Sequence, residues 1–145
     1  MKTWFDRLLL LGITVLVLVL AITASPMLFG GHMSGMWLLA HMMVSGALVF
    51  LLPVLALTWT WRNISRFKSG LLQRLGYWSL IVTGFLTIGT MFVCMLPFPS
   101  TDQIHQLIAW HGYAGFAMLP AIAALLIGTW RWRNRIADIL SLIHI

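Results

Sequence analysis

Histidine is the residue type through which this chain offers chemistry: His32, His41, His105, His111 and His144. Arg62 follows His41, and Arg131 follows His111, at nearly the same interval along the chain. On helices rising 1.5 Å per residue, each imidazole lies about 30 Å from its arginine, and the two are level to within one residue. Level, neutral imidazoles on two helices suit a metal gripped from opposite faces. A haem iron needs two such axial ligands, and its porphyrin fits between the helices of a bundle. Gly46 lies just over one turn beyond His41, and Gly112 and Gly115 flank His111, so small residues leave room for a ring beside both ligands. Another metal or proton role, or plain bonding between helices, are the competing readings of the pair. A polar ring in hydrocarbon is costly enough to be functional by default.

His32 and His105 are less well matched. Counted in the same way, His32 stands further from Arg62 than His105 stands from Arg131, by about 6 Å if both are helical. His32 follows Gly30-Gly31 and reads as a loop residue. Along a helix it would lie at most about 13 Å from His41, too close for two rings stacked in separate layers. One haem is therefore expected, with His32 and His105 at the outer surface. The cluster Met33, Met36, Met42 and Met43 reads as adaptable packing around a large group rather than as ligands. No CxxCH sequence occurs, so a haem would be held non-covalently, and the lone Cys94 allows no internal disulfide.

These side chains need helices that hold them at depth, and the composition supplies them. Only 8% of the 145 residues are charged, where a soluble domain carries roughly 25%. Four apolar stretches reach the roughly 20 residues needed to cross a bilayer: about 8–29, 37–58, 75–96 and 104–129. None holds Asp, Glu, Lys or Arg. The expected fold is all-α, a single membrane domain over 1–145, folded as a four-helix bundle. Lys2, Arg7 and the run Ala21-Ile22-Thr23-Ala24 imitate a secretory signal, but the apolar run is too long for one. Pro53 and Pro120 fall within spans two and four and are expected to bend both ligand helices.

Loop charges set an orientation. Arg62, Arg66, Lys68 and Arg74 lie between spans two and three, and Arg131, Arg133 and Arg135 follow span four. The loop 26–36 has no charged residue, and the loop 97–103 has only Asp102. The positive-inside rule puts both termini in the cytoplasm. Trp4, Trp59, Trp61, Trp78, Trp130 and Trp132 then form an inner aromatic belt, with Trp37 and Trp110 nearer the outer side. The net charge of +6 thus reflects membrane anchoring rather than nucleic-acid binding. The tail 136–145 is too short to span, and it is expected at the inner interface or against a partner.

The two halves of the chain echo each other. Thr58-Trp59-Thr60-Trp61-Arg62 ends span two, and Thr129-Trp130-Arg131-Trp132-Arg133 ends span four. Gly12, Pro26 and His41 follow in the same order and similar spacing as Gly84, Pro97 and His111. Two helix pairs of the same topology, parallel repeats, are expected.

In its layout, and most specifically in Thr83-Gly84, Met95-Leu96-Pro97, Thr101-Asp102 and Trp110-His111-Gly112-Tyr113-Ala114-Gly115, the chain resembles the four-helix membrane cytochrome b superfamily. That group includes the cytochrome b561-like subunits of formate dehydrogenases and nickel–iron hydrogenases. The resemblance implies one non-covalent haem b held by His41 and His111, with Gly46 and Gly115 beside the ring. It implies electron transfer between a quinone pool and a periplasmic or peripheral redox partner, in a bacterial inner (cytoplasmic) membrane complex with other subunits. His105, Asp102 and His32 would be the candidates for a quinone or proton site. Many relatives hold a second haem about four turns further along the ligand helices, where this chain has Leu55 and Leu125. The inner haem is therefore expected to be missing. Only three acidic residues exist, Asp6, Asp102 and Asp138, so stand-alone hydrolytic chemistry is not expected. A haem-free assembly subunit and a small metal or proton carrier are the rival classes.

Overall fold

The computed structural model describes residues 4–31, 34–60 and 70–143. These residues form an all-α four-helix bundle: α1 (Trp4–Ala24), α2 (Gly35–Trp59), α3 (Leu71–Cys94) and α4 (Thr101–Ile143). All four helices are long and apolar enough to cross a membrane. In hydrocarbon every backbone polar group needs an internal partner, and a helix provides it. The span hydroxyls follow the same rule. Thr14, Thr58, Thr83 and Thr129 each donate to the carbonyl four residues back. His32, Met33, the connection through Trp61, Arg62, Arg66 and Lys68, and the residues Lys2 and His144 lie outside the described residues.

The helix ends explain where the sequence-based boundaries shift. Pro26 starts a 3₁₀ turn, Ser25–Phe29, which closes on Gly30 at φ 73°, a left-handed conformation suited to glycine. Met95-Leu96-Pro97 ends α3, since proline has no N–H to continue the helix. Ser100 and Gln103 then form a reciprocal capping box. The Ser100 N–H donates to Gln103 Oε1 (2.8 Å) and the Gln103 N–H donates to Ser100 Oγ (3.4 Å). This starts α4 at Thr101, slightly earlier than the apolar pattern alone suggests.

At the far end, α4 does not stop at the arginines. It continues to Ile143, 43 residues in all. Residues 136–143 of the short tail are the last turns of this helix. No glycine or proline occurs after Gly128 to break it. At 1.5 Å per residue the helix is about 64 Å long, roughly twice the hydrocarbon thickness.

Each helix packs on two neighbours: α1 on α2 and α4, and α3 on α2 and α4. The two histidine-bearing helices, α2 and α4, therefore face each other across a diagonal. The α3–α4 seam is the most extensive and the α2–α3 seam the least. A Cβ on Gly76 would stand 2.8 Å from the Ala124 carbonyl carbon, and one on Gly128 would stand 2.6 Å from Gln73 Cα. Only glycine lets these two backbones touch, the small-residue logic of membrane helix pairs.

The core gathers in one half of the bundle. Leu9, Ile13, Leu52, Leu55, Trp59, Tyr77, Leu80 and Leu125 are all buried there. Trp59 is fully buried, stacked on Tyr77 with ring centroids 6.4 Å apart and planes at 16°. It belongs to the core and not to the aromatic belt, because the Tyr77 ring gives it a protein face to pack on. Trp4, Trp78 and Trp130 are exposed, as belt residues would be.

Candidate functional site

The other half of the bundle is built differently. A cleft of about 330 Å³ lies between all four helices there. Its wall is apolar apart from His41, Ser45, Thr87 and His111. Cofactor pockets run from about 300 Å³ upward. No Lys, Arg, Asp or Glu lines it, so the imidazoles face an uncharged space. Met27, Met42, Met91, Met95 and Met118 contribute to its wall, whereas the exposed Met36 and Met43 do not.

His41 and His111 meet across this cleft. Their ring centroids are 6.4 Å apart, with planes at 73°. A metal–imidazole bond is about 2.0 Å, and a ring nitrogen lies about 1.2 Å from its centroid, so two rings in line on opposite sides of one metal stand about 6.4 Å apart. The pair has the separation of that in-line arrangement.

Hydrogen bonds orient both rings. His111 Nδ1 lies 2.9 Å from the carbonyl oxygen of Thr87. A carbonyl only accepts, so Nδ1 carries the hydrogen and Nε2 presents its lone pair. His41 Nδ1 lies 2.9 Å from Thr23 Oγ1. That hydroxyl has the Val19 and Leu20 carbonyls as acceptors, at 2.9 and 3.0 Å, which frees its oxygen to accept from His41 Nδ1–H. Both of these contacts are made at Nδ1. An imidazole whose Nδ1–H is held by an oxygen is the usual form of a metal-ligating histidine. Each helix pair builds half of the site: α1 orients the histidine of α2, and α3 orients that of α4.

Glycines make the space between them. A Cβ on Gly46 or Gly112 would meet nothing within 4 Å, and one on Gly115 would meet only Thr87 Cγ2, at 3.9 Å. All three line the cleft. Side chains there would fill the room beside the histidines, and their absence fits a planar group slid between α2 and α4. Among the described residues no group of three His, Cys, Asp or Glu stands ready for a bare metal ion. Two axial imidazoles are, however, all that a metal carried by a four-nitrogen macrocycle needs from the protein.

The remaining sequence candidates stand elsewhere. Asp102 and His105 are exposed on the first turns of α4, and neither lines the cleft. His105 precedes His111 by about 9 Å along the helix. His32 lies outside the described residues. Thr23 and Thr87 are the site residues that sequence reasoning missed. A hydroxyl in span one, near the depth of His41, was a readable signal. Thr87 acts through its backbone carbonyl, which every residue has, so nothing in its side chain marks it.

Compared with family models, curated proteins and solved structures, the chain matches none.

Proposed function

We propose that this chain is a membrane-bound b-type cytochrome subunit, passing electrons between a quinone pool and a peripheral redox partner. The observation that carries the reading is the His41–His111 pair. Two imidazoles 6.4 Å apart each have Nδ1 engaged, over an apolar cleft that three glycines keep open. When bound, haem b supplies one-electron chemistry that no side chain here has.

The protein's own residues do the rest. His111 and His41 would be the two axial ligands, Thr87 and Thr23 hold their rings, and Gly46, Gly112 and Gly115 admit the macrocycle. The apolar wall keeps water from the ligands. Leu55 and Leu125 are fully buried where relatives of the resembled superfamily place a second site, which favours one haem here. Asp102 and His105 are exposed at the cleft's end of α4, where a quinol releasing protons would find a carboxylate, the only one near the cleft among the described residues. The positive-inside rule orients the cleft toward the periplasm, in a bacterial inner membrane, with both termini cytoplasmic. The length of α4 beyond the bilayer favours contact with other subunits.

The test is an absorption spectrum of the full chain purified in detergent, as isolated and after titration with hemin. The expected result is a b-type spectrum that sharpens on reduction and is lost in the double variant His41→Ala/His111→Ala, with the variant still monodisperse. A colourless, monodisperse wild-type protein that takes up no hemin would overturn the reading and leave a haem-free assembly subunit.

A further inference from the structure

We propose that the two histidines are unequal ligands. His111 is the anchor and His41 the exchangeable one, so that a small neutral diatomic ligand can take the His41 position on the iron. This rests on the haem reading above.

The first ground is chemical. The Thr87 carbonyl can only accept, so it holds His111 in the single tautomer whose Nε2 is a ligand. Thr23 Oγ1 both donates and accepts. With its hydrogen on the Val19 or Leu20 carbonyl it accepts from His41 Nδ1–H, and Nε2 is free to ligate. With its hydrogen turned to Nδ1 instead, it stabilises the other tautomer, whose Nε2–H cannot ligate. Rotation of that hydroxyl therefore shifts His41 between the two forms, against the Leu20 carbonyl that also accepts from the ring, whereas His111 is held by a carbonyl alone.

The second ground is mechanical. His111 sits on α4, locked to α3 by backbone contact at Gly76 and Gly128. His41 sits on α2, which makes the sparsest seam in the bundle, with α3. In its most apolar stretch α2 is 17% buried, against 33% for α4. Their supports differ in the same sense. Thr87 lies about two turns inside α3, whereas Thr23 lies in the last turn of α1, next to the 3₁₀ segment. Helix ends open more readily than helix centres.

The experiment uses the full haem-loaded chain in detergent, reduced to the ferrous state with dithionite, with carbon monoxide as the probe of an open position. A wild-type chain without a b-type spectrum would sink the haem reading, and this proposal with it. Given that spectrum, His41→Ala is expected to keep its haem in a five-coordinate, high-spin form that binds carbon monoxide fully. His111→Ala is expected to lose roughly tenfold or more of its haem affinity. Thr23→Val removes only the hydroxyl and is expected to raise carbon monoxide affinity by roughly tenfold over wild type, the usual scale for loss of a ligand-orienting partner. Thr23→Ser keeps the hydroxyl and is expected to stay at the wild-type value. Equal haem loss in the two histidine variants, or greater loss in His41→Ala, would overturn the proposal. So would indistinguishable behaviour of Thr23→Val and Thr23→Ser, the comparison that decides if His111→Ala does not purify.

Discussion

Glycine does opposite work in the two halves of this bundle. In the half that holds Trp59 and Tyr77, Gly76 and Gly128 bring the α3 and α4 backbones into contact. In the half that holds the histidines, Gly46 and Gly112 face empty space and Gly115 meets only the Thr87 methyl. The same lack of a Cβ closes one region and opens the other. The buried apolar residues follow this division, since Leu52, Leu55, Leu80 and Leu125 fill the first region, whereas among the described residues only Val17, Leu48 and Met118 of the same cluster reach the cleft wall. The closed half provides the rigidity, and the open half uses it to hold two imidazoles at a fixed separation. A bundle packed equally throughout would have no cleft, and one open throughout would not hold its two histidines level.

The strongest way to break this comparison is to add one methyl group to the closed half. Gly128→Ala and Gly76→Ala each put a Cβ onto backbone atoms of the facing helix, which cannot rotate away. Overpacking of this kind costs about 1–3 kcal/mol, and backbone obstacles put these sites at the upper end. Thermal unfolding in detergent should show a lowered midpoint for both variants. An unchanged midpoint would mean that the two helices separate at no cost and that the closed half is not the rigid one.

The converse change belongs in the open half. Gly46→Leu should leave the haem-free protein as stable as wild type, or more so, because a helical glycine costs up to about 1 kcal/mol relative to a good helix former. Its side chain would occupy the space beside His41, so hemin uptake should fall by at least roughly tenfold, about 1.4 kcal/mol of binding. Spectral titration alongside thermal unfolding separates the two effects. A Gly46→Leu protein that unfolds early and also loses pigment would show that Gly46 is a packing residue like Gly76.

This division was only partly legible in the sequence. Four charge-free stretches were plain, because lipid tolerates nothing else at that length. The shared depth of His41 and His111 followed from counting to Arg62 and Arg131, since a helix converts residue number into height. Counting gives height but not azimuth. It did not show that the two helices stand on a diagonal, nor that Gly76 points at a backbone while Gly46 points at space. Trp59 and Trp130 occupy matching places in a repeated motif, yet Trp59 is buried and Trp130 exposed. A motif fixes residue type, and neighbours on other helices decide environment. The run of α4 past Arg131 was hidden for a different reason. Hydropathy marks where a helix leaves lipid, and the backbone ends only where a breaker or cap occurs.

The smallest expected effect sharpens the comparison by what it leaves alone. Tyr77 Oη donates to the Ala56 carbonyl at 3.0 Å and lies 2.6 Å from Thr60 Oγ1, so it ties α3 to the end of α2. Tyr77→Phe keeps the ring, and with it the stacking on Trp59. It removes one oxygen whose partners retain other bonds, since the Thr60 hydroxyl and the Thr60 N–H both still reach the Ala56 carbonyl. Hydrogen bonds between membrane helices average about 0.6 kcal/mol, because the polar groups find other partners when the helices part. A loss of that size should lower the unfolding midpoint slightly in the detergent assay. The b-type spectrum and hemin affinity should not move, because Tyr77 lies in the closed half and does not line the cleft. A spectral change in Tyr77→Phe would mean that the α2–α3 seam transmits strain from one half to the other. Small adjustments near Trp59 would then reset the distance between His41 and His111, and the two halves would be one mechanical unit.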